Sequence, residues 1–416
     1  MLSQDVDVAV IGAGPAGLAA AIQAKEAGAN NVTIIERAEQ LGGLLHQCIH
    51  NGFGLFYFKE DLTGPEYARR FREKVEDLRI NTQLETMALS ISQDKQVVAS
   101  SKMGLINFNA KAIVLAMGCR ERTRESILIP GTRPAGILTA GTAQRYVNVE
   151  GYLPGKSIVI LGSGDVGMIM ARRLTLEGAE VKAVVEILPY VGGLIRNEVQ
   201  CLHDFGIPVL LKHTVTEVHG LERVEAVTIA EVDEDWEPIA GTEKVIKCDT
   251  LLTSVGLIPE NELSLTAGIQ LDPVTGGPIV NDRMETNIPG IFATGNVVHV
   301  HDLVDYVSWA GELAGSSAAG YARGEISPIK RKVTLKAGSN IRYVVPHSIG
   351  SEEEVTLYIR VSEPEENVRL KIGSVLTKSL RVVKPGETLK VDLPSNKVEA
   401  IKEGPDELVI SCERSA

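Results

Sequence analysis

Residues 6–17 read VDVAVIGAGPAG, and this stretch decides the fold of the chain. An apolar run that ends in a glycine-rich turn predicts a buried parallel strand followed by a helix from about Pro15 to Gly28, where glycine can adopt the left-handed C-cap. A second strand is predicted over residues 31–36 and ends in Glu36. Together these features are typical of a dinucleotide-binding module.

Each part of this fingerprint has a physical role. Gly12 makes the tight turn, Gly14 lets the backbone approach a pyrophosphate, and Gly17 lets helix and strand pack closely. The helix N-terminus then presents N–H groups and a positive dipole end to the phosphates. Glu36 can accept hydrogen bonds from a ribose hydroxyl. The alternative interpretation is an ordinary strand–helix turn.

An internal repeat favours the dinucleotide interpretation, because the same pattern returns 150 residues later as GSGDVG at 162–167. The offset preserves these landmarks: Gly12 and Gly162, Gly28 and Gly178, Glu36 and Glu186, and the GGL runs at 42–44 and 192–194. Repetition at fixed spacing indicates a duplicated structural unit. We therefore predict an α/β fold with two Rossmann-like dinucleotide-binding domains.

Composition excludes some function classes. The 416 residues are 44% hydrophobic and 4% aromatic, with a net charge of -12, so neither a basic surface nor stacking aromatics favour nucleic-acid binding. No apolar run reaches the roughly 18 residues that cross a bilayer, and no leader precedes the first strand, so we expect a cytoplasmic protein. The five cysteines are scattered without a CxxC pair, which predicts reduced thiols.

Further along the chain, Thr63 and Glu66 have the spacing of a capping box and predict a helix to residue 77. Residues 119–156 are rich in proline and glycine and are predicted to be irregular. Asp302 is predicted to be the N-cap of a long helix. Residues 327–416 alternate by twos between turns and predict a small all-β sandwich.

These residues resemble the two-dinucleotide flavoproteins of the pyridine nucleotide-disulfide oxidoreductase superfamily, which includes thioredoxin and glutathione reductases. The resemblance covers about residues 5–325 and includes both fingerprints, the strand–glycine endings at Gly118 and Gly256, and PGIFATGN at 289–296. It implies an FAD-binding domain over 1–120 and 279–326, interrupted by an NAD-binding domain over 150–278.

The resemblance also implies the cofactor contacts. Those for FAD are Gly12, Gly14, Pro15, Ala16, Glu36, Arg37, Gly43, Gln47, Ala116, Gly118, Gly295, Asn296, Leu303 and Val304. Those for NAD are Gly162, Gly164, Asp165, Val166, Gly167, Glu186 and Gly256.

Four of these positions carry specific expectations. The family usually has aspartate where this chain has Asn296, near the flavin ribityl chain. By the family's geometry, the helix turn at Leu303 and Val304 directs N–H groups at the flavin, where a helix dipole stabilises the charge of the reduced ring. Glu186 accepts a ribose 2′-hydroxyl and repels a 2′-phosphate, so it favours NAD over NADP unless it is only a surface carboxylate.

Cys48 is the candidate catalytic thiol. Disulfide reductases of the glutathione type have two cysteines where this chain has Leu45 and His50, so dithiol exchange is not predicted. A solitary Cys48 could form a sulfenate or flavin adduct, or could simply be a small residue packed beside the flavin. His299 with His301, and His46 with His50, lack further ligands for a metal, and we predict no metal site.

Segments 42–54, 62–68, 130–136 and 299–305 resemble a narrower subgroup, whose members accompany a glycerol-3-phosphate dehydrogenase flavoprotein and a small cysteine-containing protein. The subgroup is more distantly similar to large subunits of opine, proline and cyanide-forming glycine dehydrogenase complexes. The resemblance implies an electron-transfer subunit of a hetero-oligomer. The alternatives are an opine or proline dehydrogenase-like subunit, a stand-alone NADH-dependent reductase of a disulfide, quinone or other acceptor, and a non-catalytic assembly subunit.

Overall fold

A strand, a glycine turn and a helix open the chain in the computed structural model, which describes residues 2–326, 329 and 331–414. Strand Leu2–Ile11 leads into helix α1 (Pro15–Glu26), and Gly28 has a φ of 93° just after it. The other α-helices of the described residues are α2 (Gly64–Asp77), α3 (Ala140–Arg145), α4 (Asp165–Leu176), α5 (Ile195–Asn197), α6 (Glu262–Thr266), α7 (Val304–Ala322) and α8 (Ser395–Glu403).

The chain divides into two units, and the second interrupts the first. One unit holds the residues up to Cys119 and from Pro259 onward, and the other is Arg120–Ile258. These limits differ from the predicted second domain at 150–278. Residues 119–156 are also not wholly irregular, because strand Ile137–Thr139 pairs with Thr250–Thr253 and helix α3 packs on the same core. The prolines and glycines around this short strand are typical of loops, so the sequence pattern does not predict it.

A seven-stranded sheet forms the centre of the first unit. Six strands lie in the order Asn81–Gln83, Val32–Ile35, Leu2–Ile11, Gly104–Leu115, Gln96–Ser101 and Met87–Ile91, and Ile291–Ala293 also pairs with Gly104–Leu115. The pairs are parallel except for the two that involve Gln96–Ser101. A short antiparallel pair, Asn51–Phe53 and Leu62–Thr63, lies beside α2.

Helices α1 and α7 pack at very short distance because α7 carries small residues along the contact. A Cβ added to Gly311 would lie 2.4 Å from the Ala16 carbonyl oxygen, and one added to Gly315 would lie 2.1 Å from the Ala20 oxygen. Only glycine fits at these two positions. The start of α7 is therefore fixed against the helix that follows the first glycine turn.

The second unit has a parallel five-stranded sheet and a smaller antiparallel one. The parallel strands lie in the order Ile137–Thr139, Thr250–Thr253, Ser157–Leu161, Glu180–Glu186 and Val209–Leu211. The antiparallel strands are His213–His219, Ala226–Glu231 and Lys244–Lys247. Two short strands, Cys119–Glu121 and Leu257–Pro259, lie where the chain passes between the units.

The C-terminal part of the first unit is a sandwich of two sheets around one apolar core. One sheet has the order Ser348–Ile349, Val333–Ala337, Glu407–Arg414, Glu365–Ile372 and Leu376–Val383, and the other has Ile341–Val345, Val355–Val361 and Leu389–Leu393. It is not all-β, because α8 buries Val398 and Ile401 in the same core. The predicted domain limits include Met1, Ser327, Pro328, Lys330, Ser415 and Ala416, which lie outside the described residues.

Among the helices of the described residues, none combines the length and the apolar character that a bilayer crossing needs.

Candidate functional site

The two glycine turns are built alike, each around a buried glutamate. Glu36 Oε2 accepts a hydrogen bond from the Ala13 backbone N–H at 2.7 Å, and Glu186 Oε2 accepts one from Ser163 N–H at the same distance. The other carboxylate oxygens accept from the backbone two residues further on, at 2.8 and 2.9 Å. The repeat thus extends from sequence to hydrogen bonding, and each acid is fixed at the end of its strand beside its own turn.

The first turn leaves space where a pyrophosphate would need it. A Cβ on Gly12 would lie 2.4 Å from the Ala116 oxygen and one on Gly17 would lie 1.9 Å from the Gly12 oxygen, so both glycines are required for packing. A Cβ on Gly14, in contrast, would meet no atom within 4 Å. Helix α1 begins at Pro15 without a side-chain cap. An uncapped helix start beside open space fits the diphosphate of FAD.

Some of the other residues predicted to contact FAD lie close to this turn. A Cβ on Gly43 would lie 2.9 Å from the Gly14 Cα, and one on Gly295 would lie 2.7 Å from the Ala16 Cβ. Ala16, Ala116 and Val307 form a small buried cluster. Gln47 is buried, Arg37 is exposed just after its strand, and Gly118 has a φ of 72° with open space at its Cβ position.

The second turn has additional side-chain contacts. Ser163 accepts a hydrogen bond from Gly192 N–H at 2.8 Å and donates one to Glu186 at 2.5 Å. Asp165 Oδ1 accepts from Leu194 N–H at 2.9 Å and from Asn197 Nδ2 at 2.6 Å. The predicted NAD residue Asp165 therefore holds the repeated GGL segment in place. Sequence reasoning found that repeat but not these contacts.

Of the remaining predicted NAD residues, Gly164 faces Ser254, whose Oγ would lie 3.3 Å from an added Cβ. The same Ser254 hydroxyl accepts a hydrogen bond from Gly167 N–H at 3.1 Å, inside the first turn of α4. Val166 is half-buried on that helix. Gly256 has a φ of 105° and is open except for the Arg122 side chain at 3.9 Å.

An open cavity of about 380 Å³ lies within the second unit. Thr139 and Thr253, which line it, are the last residues of two parallel strands, and Arg133 and Thr142 contribute further polar atoms. The Gly162 turn follows a third strand of the same sheet, at the same carboxyl edge. Ligands of open α/β sheets bind at this edge.

Asn296 has two contacts within the chain. Its Oδ1 accepts a hydrogen bond from His301 N–H at 3.1 Å, and its Nδ2 donates to the Cys119 sulfur at 3.7 Å. A carboxylate at this position could not donate to the sulfur as the amide does, because it has no proton to donate. The departure from the family's aspartate is thus accompanied by a sulfur acceptor.

The prediction that Asp302 caps α7 is wrong. The N-cap residue is Leu303, and the helix begins at Val304 without a side-chain cap. The Asp302 carboxylate instead binds Arg360 and the Thr388 N–H. Sequence reasoning missed Arg360, which is 58 residues away, since capping rules consider only the local sequence. The start of α7 therefore has no side-chain cap, which suits an acceptor from outside the chain.

Asp305, also in the first turn of α7, fixes a neighbouring loop. Its carboxylate oxygens accept hydrogen bonds from Phe56 N–H at 3.4 Å and Tyr57 N–H at 3.3 Å. The side chain is 1% exposed, and burial raises its pKa although these hydrogen bonds oppose the shift. Loop 54–57 is therefore attached to the beginning of α7.

Cys48 has the properties of a packing residue. A Cβ on Gly64 would lie 2.8 Å from the Cys48 Cβ, and the Cys48 thiol donates to the Leu44 oxygen at 3.5 Å. Burial raises the pKa of Cys48 to about 12, so the thiol is protonated near neutral pH and is a weak nucleophile. None of the five cysteines is in a disulfide.

His299 and His301 form a buried pair with ring centroids 4.0 Å apart. Burial lowers the pKa of both, that of His301 to about 3, so both rings are neutral. Their four ring nitrogens have no hydrogen-bond partner among the described residues. His46 and His50 instead contact the backbone oxygens of Leu41 and Asn51. Within the described ranges, no group of three or more His, Cys, Asp or Glu side chains is arranged to hold a metal ion.

The sequence is similar to those of several known proteins. The family model described as pyridine nucleotide-disulphide oxidoreductase matches residues 6–314. Hydrogen cyanide synthase subunit HcnB of Pseudomonas protegens is 27% identical, over 63% of this chain and 58% of that protein. An opine oxidase subunit of Agrobacterium tumefaciens is 25% identical, over 76% of this chain and 65% of that protein. The match therefore spans less than two thirds of the length of either relative.

The matches to two thioredoxin reductases extend over almost the whole length of those proteins. The enzyme of Mycolicibacterium smegmatis is 27% identical, over 75% of this chain and 93% of that protein. The crystal structure of T. acidophilum thioredoxin reductase gives a TM-score of 0.63 at 24% identity and covers 76% of this chain and 98% of that chain, which shows the shared fold. Because the family model extends from the first strand into α7, the chain belongs to the pyridine nucleotide-disulphide oxidoreductases, enzymes that bind FAD and NAD(P).

Proposed function

We propose that this protein is the FAD-dependent, NAD(H)-linked electron-transfer subunit of a flavoprotein dehydrogenase complex. The observation that carries the proposal is that the sequence has no CxxC pair, while burial raises the pKa of the Cys48 thiol to about 12. Leu45 and His50 stand where disulfide reductases of the glutathione type have their cysteines. Electrons in this protein then have no dithiol to pass through and move between the two cofactors and a partner.

The first unit would hold FAD. The uncapped start of α1 beside Gly14 suits the diphosphate, Glu36 suits a ribose hydroxyl, and the uncapped first turn of α7 suits the ring. When bound, FAD supplies the hydride chemistry at its N5 atom. The chain's own residues bind and orient the ring, and α7 stabilises the negative charge that the ring acquires on reduction.

The second unit would hold NAD. The Gly162 turn and the start of α4 suit its diphosphate, and the cavity bordered by Thr139 and Thr253 suits its nicotinamide end. Glu186 favours NAD over NADP, because its carboxylate is held beside the Gly162 turn, where the fingerprint expects the ribose, and would repel a 2′-phosphate. Oε1 of Glu186 accepts one hydrogen bond and so retains capacity for a ribose hydroxyl.

The partner follows from the sequence resemblance. A glycerol-3-phosphate dehydrogenase-type flavoprotein would oxidise its substrate and pass two electrons through its own flavin to the FAD of this chain, and thence to NAD⁺. A small cysteine-containing protein would complete the complex, in the cytoplasm. The relatives named as subunits of hydrogen cyanide synthase and opine oxidase support a multi-subunit assembly.

The test separates this protein from its complex. The purified chain should bind FAD and should be reduced by NADH, but should not be reduced by glycerol 3-phosphate. A pull-down from native cells, with identification of the co-purifying proteins, should yield the dehydrogenase partner, and the assembly should reduce NAD⁺ with glycerol 3-phosphate. Rapid reduction of the isolated flavin by glycerol 3-phosphate would contradict this division of labour. A chain that stays colourless with added FAD would contradict the whole proposal.

A further inference from the structure

A buried ion pair connects the C-terminal sandwich to the segment that precedes α7. Arg360, on strand Val355–Val361, places Nη2 2.6 Å from Oδ1 of Asp302, and the two side chains are only 10 and 9% exposed. Both residues belong to the first unit. The sandwich thus has a charged contact two residues before the first turn of the helix proposed to face the flavin.

Both partners are held from several sides. Arg360 donates further hydrogen bonds of 2.7 to 3.1 Å to Val300 O, Pro385 O, Thr388 Oγ1 and Tyr343 OH. The second oxygen of Asp302 accepts from the Thr388 N–H at 2.6 Å. Burial opposes the charge of Arg360, but the Asp302 carboxylate holds its pKa above the ordinary value. The carboxylate therefore has a fixed direction, toward the sandwich.

That direction has an effect on α7. An acid just before a helix normally caps the N–H groups of the first turn. Here α7 has no side-chain cap, because Asp302 is engaged by Arg360 and Thr388. If Arg360 were lost, the carboxylate would be buried without a counter-charge, a costly state. The N–H groups at the start of α7, which have no side-chain cap, would then be alternative donors two residues further along the chain.

We propose that Arg360 is a positioning residue for the flavin: it keeps the Asp302 carboxylate away from the N-terminus of α7, so that the positive end of the helix faces the cofactor. The proposal rests on the function proposed above. The first turn already carries Asp305, but its oxygens accept from Phe56 N–H and Tyr57 N–H. A second carboxylate, turned toward the helix N–H groups, would occupy donors that the ring needs and would repel the charge of the reduced ring. The appended sandwich thereby contributes to the affinity and the reduction potential of a cofactor that it does not itself need to touch.

The experiment compares four full-length proteins: wild type, Arg360→Met, Asp302→Asn and the double variant. FAD dissociation is followed by flavin fluorescence, and the midpoint potential by redox titration with reference dyes. Arg360→Met should weaken FAD binding by about tenfold and make the potential more negative, since a charge at a helix N-terminus has about this effect. In the double variant both values should return to those of Asp302→Asn, because position 302 then has no carboxylate that could turn toward α7.

Two controls separate this role from a loss of packing. Arg381→Met makes the same change on an exposed face of the sandwich and should alter neither value. Arg360→Lys keeps the positive charge beside Asp302 and should retain a potential near that of wild type, even if Arg360→Met proves insoluble. The proposal is overturned if Arg360→Met behaves as wild type, or if the double variant keeps the defect of Arg360→Met. Wild type without FAD binding would instead refute the proposed function.

Discussion

The side-chain amide of Asn296 donates to the sulfur of Cys119, with 3.7 Å between Nδ2 and Sγ. We expect Asn296→Asp to lose about 1 kcal/mol of stability, because the carboxylate replaces a hydrogen-bond donor with an acceptor. Adding Cys119→Ser should restore much of that loss, since a hydroxyl is a stronger donor to the carboxylate than a thiol. Thermal unfolding of the two single variants and the double variant measures the coupling. Additive losses would show that the two side chains do not interact.

Substitution of Gly14 and substitution of Gly17 should impair different properties of the protein. A methyl group at Gly14 meets open space, so Gly14→Ala should leave the melting temperature without added FAD unchanged, while FAD binding weakens by at least about tenfold as the diphosphate is displaced. Gly17→Ala forces a Cβ to 1.9 Å from the Gly12 oxygen and should cost about 1–3 kcal/mol of stability. If Gly14→Ala bound FAD as tightly as wild type in a titration, the diphosphate would not lie at Gly14.

Cys48 should be dispensable for electron transfer. Burial raises the pKa of its thiol to about 12, so Cys48→Ser should retain FAD and should oxidise NADH with a dye acceptor at close to the wild-type rate. Alkylation of Cys48 by iodoacetamide, followed by mass spectrometry, should be slow from pH 7 to 9. Cys48→Ala serves as the control, because it also lacks the hydroxyl group that serine introduces. Abolished turnover with the flavin retained would instead favour thiol chemistry.

Glu186 should determine the choice of nicotinamide cofactor. Glu186→Gln removes the negative charge that would repel a 2′-phosphate, and we expect the ratio of kcat/KM for NADPH over NADH to rise by about tenfold. The matched change Glu36→Gln lies in the other unit and should lower FAD content without altering that ratio. A ratio that responds equally to both changes would show that Glu186 does not face the ribose.

The buried histidine pair should make the protein sensitive to acid. Burial holds the pKa of His299 and His301 below the value of 6.5 in the unfolded chain, and that of His301 at about 3. Between these values the unfolded chain binds more protons than the folded protein. The free energy of unfolding is therefore highest above pH 6.5 and declines as the pH falls below it. The loss is at most about 1.4 kcal/mol per pH unit for each ring.

Thermal unfolding from pH 7 to 5 checks this sign. The double variant His299→Phe/His301→Phe should have a flatter pH profile than wild type. An identical slope for wild type and the double variant would assign acid sensitivity to other groups.

Local sequence was sufficient where the structure uses local contacts. The capping box of Thr63 and Glu66 is present, with hydrogen bonds of 2.8 and 3.4 Å, and the repeat predicted two glycine turns that hold their glutamates identically. Distant contacts could not be predicted in this way. Asp302 has the local signature of an N-cap, but a guanidinium far along the chain has the stronger attraction for a carboxylate.

Short elements were the second source of difference. Strand Ile137–Thr139 has three residues among prolines and glycines, and only its pairing with Thr250–Thr253 makes it a strand. Helix α8 in the sandwich buries two apolar side chains, too few for a clear period. The residues that would hold FAD and NAD remain predictions from the resemblance, now with a geometry that titration and kinetics can test.

The contact between α1 and α7 has a consequence for biosynthesis. Gly311 and Gly315 pack against Ala16 and Ala20, so the core of the first unit closes through residues that are translated almost 300 positions apart. The second unit, Arg120–Ile258, is continuous and can fold as soon as it leaves the ribosome. In the nascent chain, the sheet strands before residue 116 can pair with one another, but the face of α1 that packs on α7 stays uncovered until residues 304–322 have been translated. We therefore expect chaperones to bind ribosome-bound chains of this protein that are truncated before residue 304.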